Sequence, residues 1–288
     1  MPDPKPAITG ADATETIAGD HAPATARAAA SPDAREPSGI QRLPAWRVEL
    51  ELGVPFPGQV LPRERWTRTG MRDGEGPFDW PATFGRVAPR VVDLGCGNGR
   101  YLIGSALVRP GHDHFGVDLV QRAIDFAAQR ANRRGLANAR FVTGNAVTWV
   151  YGRLAPDSVD ELHVYHPQPF YEEGQASRRL LTPEFLERTW TVLRPGGLLV
   201  LQTDNKAYWT YLCTAVPKYF GVTVRPGPWP DAPEGRTRRE IVARQKGFAV
   251  WRMEARRLEA PRPIEIPRPD FDANRPSFRK TVPRSGRE

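Results

Sequence analysis

The segment Asp93–Gly99 reads DLGCGNG, so glycines alternate with other residues directly after a short apolar run. Glycine adopts positive φ at little cost and lets a ligand approach the backbone closely. Asp118 closes the next apolar run, 23 residues after Gly95 (118 − 95 = 23). An acidic side chain at that point can accept hydrogen bonds from both hydroxyls of a ribose. These residues therefore indicate a nucleoside site.

The spacing of this glycine loop distinguishes between kinds of nucleoside. A dinucleotide site usually reads GxGxxG and holds a pyrophosphate at the helix N-terminus, whereas here Gly95, Gly97 and Gly99 follow one another as GxGxG. Asp93, beside the loop, favours a cationic nucleoside without phosphate. S-adenosylmethionine fits, because it carries an ammonium group and a positively charged sulfur. The alternative, a tight turn capped by Asp93, accounts for fewer of these features.

A second segment whose residues could take part in binding or catalysis begins at Leu162 and reads LHVYHPQPFYEEGQASRRL. Its apolar run ends at His166, and two prolines then flank Gln168. Because proline restricts the backbone, the segment predicts a stiff loop that holds a ligand after a strand. His163 and His166 have no accompanying ligand cluster, so no metal is predicted. His163 alternates into the apolar run and is predicted to be packed inside.

Alternating apolar runs and helical patterns predict the framework that positions both segments. Such alternation is typical of a mostly parallel α/β sheet. Ligands of these sheets bind outside the carboxyl ends of the strands, so we expect one crevice lined by the loops after Gly95, Asp118, Gly144, Tyr165 and Thr203. Thr182, followed by Pro183, is predicted to cap a helix. The predicted strands are Arg90–Gly95, His114–Leu119, Ala139–Gly144, Val159–Tyr165 and GLLVLQTD after Pro195; the predicted helices are Asn98–Val108, Gln121–Arg134 and Pro183–Leu193.

Length and composition limit the classes of protein. The chain has 288 residues, of which 40% are hydrophobic, enough for one sizeable core with tails. No apolar run approaches the ~20 residues that span a bilayer, and the N-terminus lacks a secretory pattern. Cys96 and Cys213 are the only cysteines, which favours a reducing compartment. We therefore predict a cytoplasmic protein without a membrane partner.

Charge and local composition predict the domain organisation. Residues 1–41 have few large apolar groups and are predicted to be a disordered tail, 42–260 the folded domain, and 261–288 a Pro/Arg-rich tail. The C-terminal tail is either passive, which we slightly favour, or a basic arm for nucleic acid. The net charge of +8 suits a polyanion such as nucleic acid. Since arginine supplies nearly all of this charge, a general composition bias is the alternative.

The sequence also resembles a known family. VVDLGCGNGRYL resembles motif I of the class I S-adenosylmethionine-dependent methyltransferases, and the part from about Trp80 to Arg257 resembles the tRNA (guanine-N7)-methyltransferase family. That family has P-D-P-W where this chain has Pro167-Gln168-Pro169-Phe170, and T-[KR]-[YF]-E where it has Thr237-Arg238-Arg239-Glu240. The resemblance implies a Rossmann-like class I methyltransferase fold, with a mostly parallel seven-stranded sheet and helices on both faces.

The resemblance implies a role for individual residues. Asp93 would lie against the methionine part of S-adenosylmethionine, beside Gly95, Gly97 and Gly99, and Asp118 would bind the ribose. Asn145 would lie near the adenine, where its carbonyl oxygen can accept from an amino group. The substrate guanine would be contacted by Asp204 and by Thr237, Arg238, Arg239 and Glu240.

Gln168 stands where the family has an aspartate that orients the base, and it is our candidate catalytic residue. Guanine N7 carries no proton, so alignment with the methyl group can supply much of the acceleration. A carboxylate accepts two hydrogen bonds from a guanine edge, whereas glutamine offers one carbonyl oxygen and adds donors. An unpaired group costs ~1–3 kcal/mol, or roughly one to two orders of magnitude in rate.

Further departures from the family lie just after Gln168. Glu172 and Glu173 replace basic residues and would repel RNA phosphate, which Arg178 and Arg179 could partly offset. A solvated first helical turn explains these charges equally well. Phe170 replaces tryptophan, and either stacking or core packing explains it.

Three functions follow from these observations. The first is S-adenosylmethionine-dependent methylation of guanine N7 in tRNA, carried by the motif series from Asp93 to Glu240. The second is a paralogue that methylates another, perhaps small, substrate, motivated by Gln168, Glu172 and Glu173. The third is a non-catalytic RNA-binding module that uses the basic surface.

Overall fold

The computed structural model describes residues 47–170 and 178–266. The predicted boundaries at residues 41 and 261 stay predictions, because 1–46 and 267–288 lie outside the described residues. In the part that is described, no helix is long and apolar enough to cross a bilayer.

The centre of the structure is an eight-stranded sheet in the order β3-β6-β5-β4-β7-β8-β10-β9. All neighbouring strands from β3 to β8 are parallel, and β10 is antiparallel to both β8 and β9. The strands are β3 Gly70–Met71, β4 Arg90–Leu94, β5 Asp113–Asp118, β6 Ala139–Thr143, β7 Val159–Tyr165, β8 Leu193–Thr203, β9 Phe220–Val224 and β10 Trp251–Arg257. A separate antiparallel hairpin consists of β1 Arg47–Glu51 and β2 Val54–Val60.

The expected seven strands are joined by an eighth, the two-residue strand β3 at the edge of the sheet. Gly70 and Met71 pair in parallel with Phe141 and Val142 of β6. The preceding residue, Thr69, donates its hydroxyl to Ala128 O at 3.1 Å and so fixes the segment to a helix. Such a short strand has no periodicity of its own, which explains why the sequence did not predict it.

Helices cover both faces of the sheet, as predicted. They are α1 Trp80–Phe84, α2 Arg100–Val108, α3 Gln121–Asn132, α4 Ala146–Thr148, α5 Pro183–Val192, α6 Lys206–Ala215 and α7 Arg238–Gln245. Strand side chains alternate between the two faces: Val91 packs with α2 and α3, whereas Val92 packs with α5 and α6.

The sequence patterns predicted most ends of the helices and strands to within two residues of where the structure places them. The Thr182 side chain accepts a hydrogen bond from Phe185 N at 3.2 Å, so the predicted helix cap is confirmed. The predicted helix at Asn98 begins at Arg100 instead, because Gly99 has φ 73° and forms the N-cap. The last predicted strand begins earlier than expected, at Leu193, and its register with β7 jumps from Val159↔Leu193 to Glu161↔Leu198.

The N-terminal hairpin was not predicted, and it supports the glycine loop. Glu51, at the end of β1, is only 4% exposed and accepts from Asn98 Nδ2 of the glycine loop at 2.5 Å. Glu51 also forms ion pairs with Arg100 of α2 at 3.5 Å and with Arg130 of α3 at 3.4 Å. The hairpin therefore ties the glycine loop to the helices on that face.

We predict that Gly116→Ala destabilises the fold by ~1–3 kcal/mol, the usual cost of overpacking a core. A Cβ at Gly116, in the centre of β5, would lie 2.7 Å from Leu102 Cδ1, 2.8 Å from Cys96 Sγ and 2.9 Å from Phe141 Cδ1. The matched control is Gly111→Ala, where a Cβ meets nothing within 4 Å. Denaturant unfolding measures both variants, and equal stabilities would contradict this account of β5.

Candidate active site

A cavity of about 800 Å³ opens at the carboxyl ends of β4, β7 and β8. The glycine loop lines one side, the loop with Gln168 lines another, and Asp204 and the first turn of α7 complete it. Three of the five loops expected to share a crevice, those after Gly95, Tyr165 and Thr203, therefore meet. Asp118 and Asn145, in the other two loops, do not line this cavity.

The glycine loop has the backbone conformation that its composition predicts. Gly95 and Gly97 have φ values of 79° and 54°, and a Cβ on either would meet nothing within 4 Å. The space beside them is therefore open to a ligand. Gly99 serves packing instead, because a Cβ there would lie 3.0 Å from both Ala127 Cβ and Phe141 Cε1.

Asp93 brings a buried carboxyl group to the cavity wall. Its side chain lines the cavity, is 1% exposed, and its Oδ1 atom has no hydrogen-bond partner. Burial, and next the charge of Asp118, raise the pKa of Asp93 well above its usual range, while Arg236 acts in the opposite direction. A cationic ligand in the cavity would supply the missing partner and favour the ionised carboxylate.

Asp118 and Asn145 both accept hydrogen bonds from backbone N–H groups, Asp118 from the glycine loop as well as from its own loop. Asp118 Oδ2 accepts from Gly97 N at 2.8 Å, and Oδ1 accepts from Val120 N at 2.9 Å. Asn145 caps α4 by accepting from Val147 N at 2.8 Å. Each oxygen keeps a second lone pair, so these side chains shape their loops and can still accept from a nucleoside.

The loop around Gln168 is strained and clamped. His166 and Phe170 have φ values of 51° and 41°, a region that bulky residues rarely occupy and that often marks functional sites. The Arg179 guanidinium donates to Pro169 O at 2.9 Å and to Phe170 O at 2.7 Å. Arg179 is 8% exposed, so it holds this loop from inside, whereas we had expected it beside the substrate.

Arg178 and Gln168 take more open positions. Gln168 is exposed at the cavity wall, and the exposed Arg178 lies over the Phe170 ring at 4.9 Å. This cation–π contact gives Phe170 a partner. Glu172, Glu173 and the rest of 171–177 lie outside the described residues.

Asp204 joins the loop with Gln168 to the first turn of α7. Its Oδ1 lies 3.1 Å from His166 Nδ1, and its Oδ2 accepts from Arg239 Nε at 2.8 Å. Burial alone would raise the pKa of Asp204, but His166 and Arg239 outweigh burial and lower it to about 2. Asp204 is therefore ionised at neutral pH and faces the cavity. Among the described residues, no three His, Cys, Asp or Glu side chains are grouped to hold a metal.

The Thr237–Glu240 motif forms a helix cap. Thr237 is the N-cap of α7, and its Oγ1 accepts from Glu240 N at 3.1 Å. Glu240, expected beside the substrate, is instead fully buried, where it accepts from Arg252 Nε at 3.2 Å and from Arg236 N at 2.8 Å. Thr237, Arg238 and Arg239 do line the cavity, and both arginines are exposed at its mouth.

Several residues of the site were missed in the sequence. Tyr101 and Tyr165 line the cavity beside Asp93, and His163 bonds both hydroxyls at 2.9 Å. His163 is 2% exposed, so its predicted packing is confirmed, and burial first of all lowers its pKa to about 4. Tyr101 could have been found, because it lies two residues after Gly99 on the helix that the loop opens.

The strand order, with a single antiparallel strand β10 inserted beside the edge, defines a class I methyltransferase fold. The solved structure of the 16S rRNA methyltransferase KamB aligns with a TM-score of 0.50 and 16% identity, over 66% of this chain and 98% of that one. This likeness concerns the fold alone.

Sequence comparison then gives the family. A family model described as "Putative methyltransferase" matches residues 87–253. The tRNA (guanine-N(7)-)-methyltransferase of Nitrosococcus oceani is 28% identical over 206 residues, 69% of this chain and 87% of that protein. The corresponding enzyme of Nocardia farcinica is 32% identical over 188 residues, 65% of this chain and 70% of that protein. The chain belongs to this family, as a divergent member of the tRNA (guanine-N7)-methyltransferases.

We predict that Arg179→Lys lowers the free energy of unfolding by ~1–3 kcal/mol, the cost of leaving buried groups unpaired. Lysine keeps the charge but cannot reproduce the fork that meets both loop carbonyls. The neighbouring exposed Arg178→Lys is the matched control and should change stability by less than ~0.5 kcal/mol. Denaturant unfolding measures both, and a larger effect at Arg178 would show that the clamp is misassigned.

Proposed function

We propose that the protein transfers the methyl group of S-adenosylmethionine to N7 of a guanine in tRNA. The observation that carries the proposal is one cavity, in a member of this family, that joins the unpartnered Asp93 carboxylate to the ionised Asp204 carboxylate. The first suits a cationic cofactor and the second suits the N–H donors of a guanine edge.

The cofactor side of the cavity fits S-adenosylmethionine on two observations. The buried Oδ1 of Asp93 lacks a partner, and Gly95 and Gly97, which line the same cavity, leave open space beside their backbone. Asp93 would face the ammonium group. Asp118 does not line the cavity but holds Gly97 N, and it would accept from the ribose beyond the glycine loop. When bound, S-adenosylmethionine supplies a methyl group on a positively charged sulfur.

On the substrate side, the residues need only orient the base, because guanine N7 carries no proton that must be removed. Guanine N7 is already nucleophilic, so the task of Gln168 and Asp204 is to hold the ring in line with the methyl group. Asp204 can accept two hydrogen bonds, and its position is fixed by His166 and Arg239. Gln168, across the same cavity, offers one acceptor and two donors.

The mouth of the cavity suits an RNA backbone. Three exposed cationic side chains line it: Lys206, Arg238 and Arg239. Phosphate contacts of this kind supply affinity without reading sequence. We therefore propose tRNA as the partner, and we retain the proposal of a cytoplasmic location.

The test uses the full-length protein, labelled S-adenosylmethionine and tRNA from a strain lacking 7-methylguanosine, read by nucleoside mass spectrometry. The proposal expects 7-methylguanosine to appear. If a standard enzyme of the family forms 7-methylguanosine under the same conditions and this protein forms none, the proposal is wrong. The departure at Gln168 then favours another acceptor, which a screen of small molecules would address.

We predict that Gln168→Asp raises the rate of guanine-N7 methylation by roughly 10-fold, because a carboxylate pairs with two base donors where the amide leaves one opposed. Gln168→Asn is the matched control, since it shortens the side chain equally but keeps the amide. Single-turnover kinetics measure both. A lower rate for Gln168→Asp than for Gln168→Asn would show that this loop is adapted to a different acceptor.

We predict that Asp93→Asn weakens S-adenosylmethionine binding by roughly 10-fold or more, the value of a hydrogen bond to a charged group. Asp125→Asn, an exposed change of equal charge on α3, should leave affinity unchanged.

Calorimetry also tests the role of Asp93 through pH. Because the pKa of Asp93 is raised, lowering the pH protonates it and should weaken binding to the wild-type protein. Asp93→Asn should flatten that dependence. An identical pH profile for both proteins would mean that Asp93 does not face the cation.

A further inference from the structure

A chain of polar side chains leads from the protein interior to Asp204. Gln202 of β8, 1% exposed, places its Nε2 atom 3.2 Å from Glu240 Oε2 and 2.8 Å from His166 Nε2. The other ring nitrogen of His166 lies 3.1 Å from Asp204 Oδ1. Glu240, Gln202 and His166 thus form a continuous path behind the cavity wall, ending at the carboxylate that lines it.

Trp229 determines which atoms donate hydrogen bonds in this row of side chains. Its indole N–H can only donate, and it contacts the side-chain oxygen of Gln202. The Gln202 oxygen must therefore face Trp229, which is 1% exposed. The amide nitrogen then faces His166 and Glu240 and, having two hydrogens and no acceptor, donates to both.

This assignment decides which tautomer His166 adopts. Its Nε2 accepts from Gln202, so the ring proton is on Nδ1 and is donated to Asp204 Oδ1. Arg239 donates to the other oxygen of Asp204 at 2.8 Å. Both carboxylate oxygens are thereby held, and each keeps a lone pair. Gln202 also holds the backbone of His166. His166 N donates to Gln202 O at 2.7 Å, which supports the positive φ of His166.

We propose that Gln202 is a positioning residue, which sets the tautomer of His166 and through it the orientation of the Asp204 carboxylate. The substrate role of Asp204 rests on the proposed function; the tautomer does not. A glutamine that merely filled the space between β7 and β10 would affect stability alone. A positioning residue affects the ring proton of His166 and the methyl-transfer rate, with cofactor affinity unchanged.

The first measurement is the protonation of His166 in the full-length protein, by NMR of ¹⁵N-labelled histidine. The chain has five histidines, and the signal that disappears in His166→Gln identifies the ring. We expect a protonated Nδ1 and an unprotonated Nε2. Protonation of Nε2 alone in the wild-type protein would overturn the proposal, whatever the enzyme does.

The second measurement compares variants. Gln202→Met removes both donors at similar size, and Trp229→Phe removes the indole N–H that fixes the amide. We expect each to give a mixture of tautomers and to lower kcat on the order of 10- to 100-fold, the effect of a misplaced reacting group, with cofactor affinity unchanged. Gln245→Met is the matched control, since Gln245 is an exposed glutamine on α7 that donates to Leu52 O at 2.9 Å.

The outcomes separate this proposal from the proposed function. If no protein forms 7-methylguanosine, the function fails, and the tautomers of the wild-type and variant proteins still decide whether Gln202 sets the ring proton. If the enzyme is active and folded Gln202→Met keeps the wild-type tautomer and kcat, the positioning role is wrong. If Gln202→Met does not fold, Trp229→Phe decides by the same two readouts.

Discussion

The side of the cavity formed by Asp204 and α7, the proposed substrate half, depends on the buried ion pair between Glu240 and Arg252. Glu240 is at the third position of α7, and Arg252 is on β10, opposite Gln202 of β8. The pair therefore joins a helix and two strands, and its carboxylate also receives the Gln202 amide. Removing one partner of such a pair leaves an uncompensated buried charge, at a cost of about 3–5 kcal/mol. The positions of α7 and Asp204 follow from this contact.

In the proposed cofactor half of the site, by contrast, the buried carboxyl group is not fully paired. Asp93 is as buried as Glu240, yet one oxygen has no partner. The fold thus keeps one carboxylate satisfied for positioning and leaves another to be completed from the cavity. Glu51 of the hairpin belongs to the first kind, since Asn98, Arg100 and Arg130 surround it. This contrast, together with its place on the cavity wall, explains why Asp93 suits a cation and Glu51 and Glu240 do not.

The sequence predicted what local patterns determine. Alternation gave the parallel strands, Thr182 gave a helix start, and the glycines marked the loop beside Asp93. The hairpin was missed because Pro55 and Pro57 interrupt β2 and disfavour a strand, and because its turn begins with Leu52 at φ 53°. Gln202 and Arg179 were missed or misassigned for another reason. Their roles depend on partners brought close by folding, such as Glu240, 38 residues from Gln202.

The replacement of the family's aspartate by Gln168 removes one carboxylate from the cavity, but Asp204 remains there. A guanine edge presents adjacent N–H donors, and one well-placed carboxylate can accept both. Asp204 lines the same cavity, is ionised, and is held on one oxygen by His166, which a buried network orients, and on the other by the exposed Arg239. In the proposed function, the exposed Gln168 shares the orientation of the base with Asp204, and Arg179 fixes its loop from behind. Under the proposed function, exchanging a carboxylate for an amide at position 168 therefore slows the reaction without removing the means to orient the base.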